Sequence, residues 1–152
     1  MKSIVMLVLV SVLSLSAFSQ KLNADFDSVL AMKLGADDYG MKNYVLVILK
    51  TGSNKLEAGA ERDSLFRGHM ENIKRLAEEG KLVVAGPLGQ NDRFYRGIFI
   101  LNVRKPEDAR ILLDTDPTVR EGIFDAELYE WYGSAALGEY LNADRKAGKY
   151  KF

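Results

Sequence analysis

Few side chains in this sequence can do acid–base chemistry near neutral pH, because it has one histidine, His69, and no cysteine. An imidazole exchanges protons in this range, so His69 is the first candidate for a general acid or base. It lies on the apolar stripe of a predicted helix, where a lone histidine is more often a core residue than a catalyst. Asp116 is a candidate carboxylate. Because it precedes Pro117, its simplest role is to cap a short helical turn over 117–121.

Two other groups of residues could contribute to a binding site. Arg93 and Arg96 flank a predicted loop and could meet an anionic ligand, although surface arginines usually bind nothing specific. Gly86 and Pro87 end a predicted strand, where such a pair usually forms a plain turn. The sequence has no glycine-rich phosphate loop, no serine nucleophile elbow and no metal-ligand spacing. We therefore expect neither a metal nor a cofactor.

The composition excludes several classes of protein. The chain has 152 residues, 47% of them hydrophobic and 28% charged, which is typical of one folded domain. Its 21 basic and 21 acidic residues give zero net charge, which argues against a partner held through nucleic-acid phosphates. The absence of cysteine excludes disulfides, thiolate metal sites and a cysteine nucleophile.

Residues 1–19 are predicted to be a signal peptide. Lys2 precedes an apolar run over 4–15, and Ala17 and Ser19 provide the small residues of a cleavage site before Gln20. The alternative is a retained membrane anchor, for which the run is short, since a spanning helix needs about 20 apolar residues. We therefore expect export to the periplasm or the medium, with no stable membrane anchor after cleavage.

The rest of the chain alternates between helix and strand patterns. We expect a first helix capped by Asn23 or Asp25 and ended by Gly35. The predicted elements are a helix over 23–34, a strand over 44–49, a helix over 61–79, strands over 82–85 and 97–103, a helix from 106, a half-exposed strand over 123–132, a terminal helix over 135–144 and a loose tail over 145–152.

This order is β-α-β-β-α-β with an extra helix at each end, which predicts an α+β, ferredoxin-like fold with strand order 4-1-3-2. The first and third strands are apolar on both faces, as expected of the two central strands. One layer of helices covers only one face of the sheet, so we expect the other face to form a homodimer. On the long helix, Leu65, Ile73 and Leu76 are predicted to face the core.

Several segments resemble the YCII-related family, in the right order and on the right predicted elements. The resemblance spans about residues 41–132 and is carried by FRGHMENI at 66–73, GKLVVAGP at 80–87 and DPTVREGIF at 116–124. GIF at 97–99 and WYGS at 131–134 are similar to an exported branch of that family. The resulting domains are a signal peptide at 1–19, an N-terminal helical extension at 20–40, the family domain at 41–133 and a C-terminal helix and tail at 134–152.

The resemblance implies a ferredoxin-like domain that pairs into a dimeric α/β barrel. It also implies a pocket with a His–Asp pair, here His69 and Asp116, whose wall Gly86 and Pro87 would shape. With Arg96 as a third substrate-binding candidate, such a pair suits proton transfer on an unknown small molecule, as in a lyase or isomerase. The alternatives are a binding module, in which the pair only hydrogen-bonds a ligand, and a purely structural dimer.

Overall fold

The computed structural model describes residues 22–149. Their elements are, in chain order, α1 (Ser28–Leu34), β1 (Met41–Thr51), α2 (Ala60–Glu78), β2 (Leu82–Pro87), β3 (Tyr95–Leu101), α3 (Pro106–Leu113), α4 (Pro117–Arg120), β4 (Phe124–Ser134), a 3₁₀ helix (Ala135–Tyr140) and α5 (Leu141–Ala147). The predicted signal peptide and the last three residues of the tail lie outside the described residues.

The four strands form one antiparallel sheet in the order β2-β3-β1-β4. This is the predicted order, with the first and third strands in the centre, and it confirms the ferredoxin-like fold. β1 pairs with β4 along its full length, from Met41 opposite Ser134 to Thr51 opposite Phe124. With 11 residues, β1 is a long central strand that pairs with β3 on one side and β4 on the other.

The core lies between one face of the sheet and the helices α2 and α3. Alternate residues of the central strands point into it, as the two-residue period of a strand requires. The core cluster contains Val45, Val47, Leu49, Leu76, Leu82, Phe99, Leu101, Ala109, Leu113 and Ala126. Of the three helix positions predicted to be core, Leu76 is 1% exposed, Ile73 packs half-buried against the cluster, and Leu65 is half-buried outside it.

The opposite face of the sheet is apolar and only partly covered. It carries Leu46, Ile48, Ile98 and Ile100, all half-buried side by side on the two central strands. We call these four residues the open face. The helices α2 and α3 pack on the core face of the sheet, so they do not cover these four side chains.

One end of this second face is covered by the chain itself. The 3₁₀ helix leaves β4 at one edge of the sheet, and its Tyr140 hydroxyl donates to the carbonyl of Val83 on β2 at the other edge. Between them, the Tyr44 hydroxyl donates to the Ser134 carbonyl at 2.8 Å, and the Tyr44 side chain is fully buried. Residues 135–140 therefore cross the sheet beside Tyr44, at one end of this face.

The N-terminal extension docks at the same end. Asp27 caps α1 by accepting from Val29 and Leu30, so the predicted caps at Asn23 and Asp25 are wrong, whereas the predicted end at Gly35 is confirmed. Asp27 lies four residues after Asn23 and two after Asp25, and its side-chain oxygen accepts from two backbone N–H groups that would otherwise lack a partner. The Tyr132 hydroxyl donates to Asp37 and ties the extension to β4.

Several element boundaries differ from the sequence prediction. The predicted turn at Gly86 and Pro87 is wrong, because both residues pair with β3 inside strand β2. Proline is tolerated there since β2 is an edge strand and Pro87 is its last residue. The predicted terminal helix begins as a 3₁₀ helix, and α5 extends to Ala147, into the predicted tail. Within residues 22–149, no helix is long and apolar enough to cross a membrane.

Candidate active site

Helix α2 carries His69 on its inward face and brings it close to helix α4. The preceding residue, Gly68, makes this approach possible: a Cβ atom built there would lie 2.8 Å from Cγ of Pro117. Two carbon atoms normally pack at about 3.5–4.0 Å, so no other residue fits without a shift. The histidine side chain is 10% exposed.

The turn that bears Asp116 is held from the other side by the end of β1. Gly52 donates to the Ile123 carbonyl at 2.8 Å, and Asn54 donates to the Gly122 carbonyl at 3.0 Å. A Cβ atom at Gly52 would lie 2.1 Å from the Gly122 carbonyl oxygen, so this approach also depends on the missing side chain. The segment 116–123 is thus fixed between α2 and the sheet.

Asp116 uses its two carboxylate oxygens for different purposes. Oδ1 accepts from the backbone N–H of Thr118 at 2.9 Å and caps α4, as the sequence predicts. Oδ2 lies 2.6 Å from Nδ1 of His69, 47 positions away in the chain. Asp116 therefore caps α4 with one oxygen and contacts His69 with the other.

The geometry determines which nitrogen of His69 carries the proton. An ionised carboxylate only accepts hydrogen bonds, so the 2.6 Å contact places the proton on Nδ1. Nε2 has no hydrogen-bond partner among the described residues, yet no fully buried side-chain nitrogen or oxygen there lacks one. Nε2 therefore lies on the accessible edge of the ring, and in the neutral imidazole it offers a free lone pair.

Three phenylalanine rings surround the imidazole. Phe99 of β3 stacks on it at a centroid distance of 6.0 Å, Phe124 of β4 meets it edge-on at 5.5 Å, and Phe66 of α2 does so at 6.4 Å. These rings keep water away from most of His69 and strengthen its hydrogen bond to Asp116, because the local dielectric constant is low.

Asp116 is fully buried but remains ionised at neutral pH. Burial alone would raise the pKa of its carboxyl group. The hydrogen bond and positive charge of His69, together with both hydrogen bonds from Thr118, outweigh burial and bring the pKa below its usual value. The carboxylate is therefore available to hold His69 at any pH at which an imidazole titrates.

The other predicted site residues lie around the pair without touching it. Arg96 sits at the bulge between β1 and β3, and its Nε donates to the Thr51 hydroxyl at 2.6 Å. Pro87 lies on the core face of β2 and Gly86 on the opposite face, according to the strand register. Among the described contacts, none of the three meets His69 or Asp116, so their roles in binding stay predictions.

The sequence analysis missed Thr118 and the three phenylalanine rings around His69, here called the phenylalanine wall. Thr118 is fully buried, and its hydroxyl donates to Asp116 Oδ1 at 2.7 Å. The signal was the spacing Asp-Pro-Thr, which places a hydroxyl two residues after a capping carboxylate. The three phenylalanines come from three different elements, and only the folded sheet shows that they meet at one imidazole.

The described surface also contains two depressions away from the pair. One of 580 Å³ lies along the β2–β3 loop, and one of 470 Å³ lies beside α4, where it is lined by Arg110, Arg120 and Phe124. Phe124, which lines the second depression, also packs against the imidazole of His69. Within residues 22–149, no group of three or more acidic or histidine side chains is arranged to hold a metal ion.

Comparison with known proteins identifies a family and a similar solved structure. The structure is 5-chloro-2-hydroxyhydroquinone dehydrochlorinase from Burkholderia phenoliruptrix, in complex with 2,5-dihydroxybenzoquinone. It is 19% identical with a TM-score of 0.39, and the match covers 57% of this chain and 92% of that one. The comparison with curated proteins gives no match. The family model of the YCII-related domain matches residues 43–132, more than half of the sequence, so the chain belongs to the YCII-related family.

Proposed function

We propose that this protein is a small-molecule enzyme of the lyase or isomerase type in which His69 is the general base and acid. The observation that supports this best is the 2.6 Å contact between His69 Nδ1 and Asp116 Oδ2, which holds one nitrogen while leaving Nε2 at the accessible edge of the ring. A histidine that only packs in the core requires neither a buried carboxylate at Nδ1 nor a solvent-accessible Nε2 without a hydrogen-bond partner.

The proposed proton transfer follows from this geometry. Nε2 takes a proton from a carbon or oxygen atom of the bound substrate, and the imidazolium that forms is stabilised by the Asp116 carboxylate. The substrate retains the electron pair, and Nε2 then returns the proton to another position or to a leaving group. The phenylalanine wall protects the charged intermediate from water, which strengthens the electrostatic stabilisation.

The substrate would approach from the β2 side of the sheet. Ala85 is paired directly with Phe99 on the core face, but unlike Phe99 it is exposed, and so is Pro87 beyond it. The sheet is therefore open to solvent next to the ring that stacks on His69. In this proposal Gly86 and Pro87 shape the rim of the entrance, and Arg96 binds an anionic group of the substrate.

We further propose that the protein acts as an exported homodimer. The open face would be covered by a second copy, since four adjacent apolar side chains on a sheet are rarely left to solvent. Lys50, with Asp125 at 3.2 Å and Glu127 at 3.0 Å, would form a polar border of this contact.

Export would remove residues 1–19, and an intact mass that still includes them in the exported fraction would contradict cleavage.

The experiment begins with mass spectrometry of small molecules retained by the purified protein. A retained or screened ligand is then incubated in D₂O with the wild type, with His69→Gln and with Asp38→Asn, an exposed carboxylate that serves as the control. We expect the wild type and the control to place deuterium in the ligand, and His69→Gln to bind it without exchange. Binding without exchange by the wild type would favour the binding module, and no ligand at all would favour the structural dimer.

A further inference from the structure

We propose that Thr118 is a positioning residue that orients the Asp116 carboxylate and thereby fixes the proton of His69 on Nδ1. This inference rests on the proposed function, because it explains how Nε2 is kept free to act as the base. It assigns a role to a side chain that neither touches the accessible edge of the imidazole nor belongs to the His–Asp pair.

Thr118 holds one oxygen of the carboxylate twice. Its backbone N–H and its hydroxyl donate to Asp116 Oδ1 at 2.9 and 2.7 Å. The terminal torsion of an aspartate is broad and roughly two-fold, so the carboxylate would otherwise rotate easily. With Oδ1 bound at two points, Oδ2 stays directed at His69.

The hydroxyl also faces the imidazole itself, because Oγ1 of Thr118 lies 3.3 Å from Nδ1 of His69. The hydroxyl proton is used in the bond to Oδ1, so toward the ring this oxygen can only accept. A protonated Nδ1 therefore finds two acceptors, Oδ2 and Oγ1. An unprotonated Nδ1 would face lone pairs alone, and the Nε2–H tautomer is disfavoured.

A purely structural role would be to pack against α2 and cap α4 without affecting the imidazole. Two substitutions separate these roles. Thr118→Val keeps the shape and the backbone cap but removes the hydroxyl, whereas Thr118→Ser keeps the hydroxyl and removes a methyl group. Thr115→Val is the matched control, because Thr115 lies one residue before Asp116. The Thr115 hydroxyl bonds Asn72 and the Leu112 carbonyl but does not contact the Asp116 carboxylate.

The measurement is the tautomer of the neutral imidazole, read from ¹⁵N chemical shifts of the single histidine. We expect Nδ1–H in the wild type, in Thr118→Ser and in Thr115→Val. In Thr118→Val the ratio of Nε2–H to Nδ1–H should rise about tenfold, the usual effect of losing one hydrogen bond. Circular dichroism would show whether each variant is folded. If Thr118→Val does not fold, the comparison of Thr118→Ala, which lacks the hydroxyl, with Thr118→Ser, which keeps it, provides the same test.

Two results would overturn the inference. An unchanged ratio in folded variants without the hydroxyl would show that Thr118 does not position the carboxylate. An equal rise in Thr115→Val would show that any loosening of this turn has the same effect. Nε2–H already dominant in the wild type would also overturn it. Failure of the proposed function is distinguishable from these results, because it would appear as no deuterium exchange by the wild type while the tautomer ratio still responds to Thr118→Val.

Discussion

Gly68→Ala tests whether the contact between α2 and α4 determines the geometry of the His69–Asp116 pair. The new Cβ atom would begin 2.8 Å from Cγ of Pro117, whereas carbon atoms pack at about 3.5–4.0 Å. The two helices must therefore separate by about 0.7 Å or more, since the proline ring cannot rotate away as a long side chain would. If the pair absorbs all of this movement, its 2.6 Å contact lengthens to about 3.3 Å and weakens.

Two opposing effects set the stability of this variant. Alanine inside a helix is favoured over glycine by about 0.8–1.0 kcal/mol, and overpacking costs about 1–3 kcal/mol. We expect a net loss of up to about 2 kcal/mol in the free energy of unfolding. Helix propensity alone would give a gain, so the sign of the change is informative.

The assay combines chemical denaturation with NMR of the imidazole. Gly138→Ala is the control, because a Cβ atom there has nothing within 4 Å and this glycine has no positive φ angle. We expect the control to keep the wild-type imidazole shifts, and Gly68→Ala to move them toward those of a variant that lacks Asp116. A stabilised Gly68→Ala with unchanged imidazole shifts would refute the role of this close approach.

Three other outcomes follow from the structure. Because the folded-state pKa of Asp116 lies below its usual 3.8, this carboxylate stabilises the fold above about pH 4, and that stabilisation is lost as the pH falls through the lowered value. The acid-induced loss in denaturation experiments should be smaller in Asp116→Asn. Leu76→Ala should cost about 2–5 kcal/mol and Ile73→Ala should fall toward the lower end, being half-buried; equal and negligible losses would mean that the helix face is misassigned. Light scattering should give a dimer at micromolar concentration, with Ile98→Asp shifting it to monomer, and a wild-type monomer would contradict the dimer.

The sequence predicted the central elements of the fold because their signals are local. The unbroken apolar run at 44–49 and the almost wholly apolar run at 97–103 mark the two central strands, and the helical spacing of the long helix places His69 inward. The predicted strand boundaries were less accurate, because the ends of β1 and β2 are set by where β4 and β3 lie beside them. Gly86 and Pro87 resemble a turn in sequence and become a strand only because β3 lies beside them.

The candidate site was only half visible in the sequence. The residues alone gave a core histidine and a capping aspartate, and the pairing of the two across 47 positions came from family resemblance. The role of Thr118 depends on how a carboxylate is oriented in three dimensions, which no periodicity encodes. The same holds for the crossing of residues 135–140 over the sheet, because it depends on the positions of both sheet edges.

The most direct test of the His69–Asp116 pair is the tautomer of the single histidine, read from ¹⁵N chemical shifts in the wild type and in Asp116→Asn, with Asp38→Asn as the control. In Asp116→Asn the amide oxygen should keep the bonds from Thr118, so the NH₂ group faces the ring and requires an unprotonated Nδ1. We predict that the Nε2–H tautomer becomes dominant in this variant, whereas the wild type and the control keep the proton on Nδ1. A folded Asp116→Asn variant whose imidazole tautomer matches that of the wild type would contradict the His69–Asp116 pair.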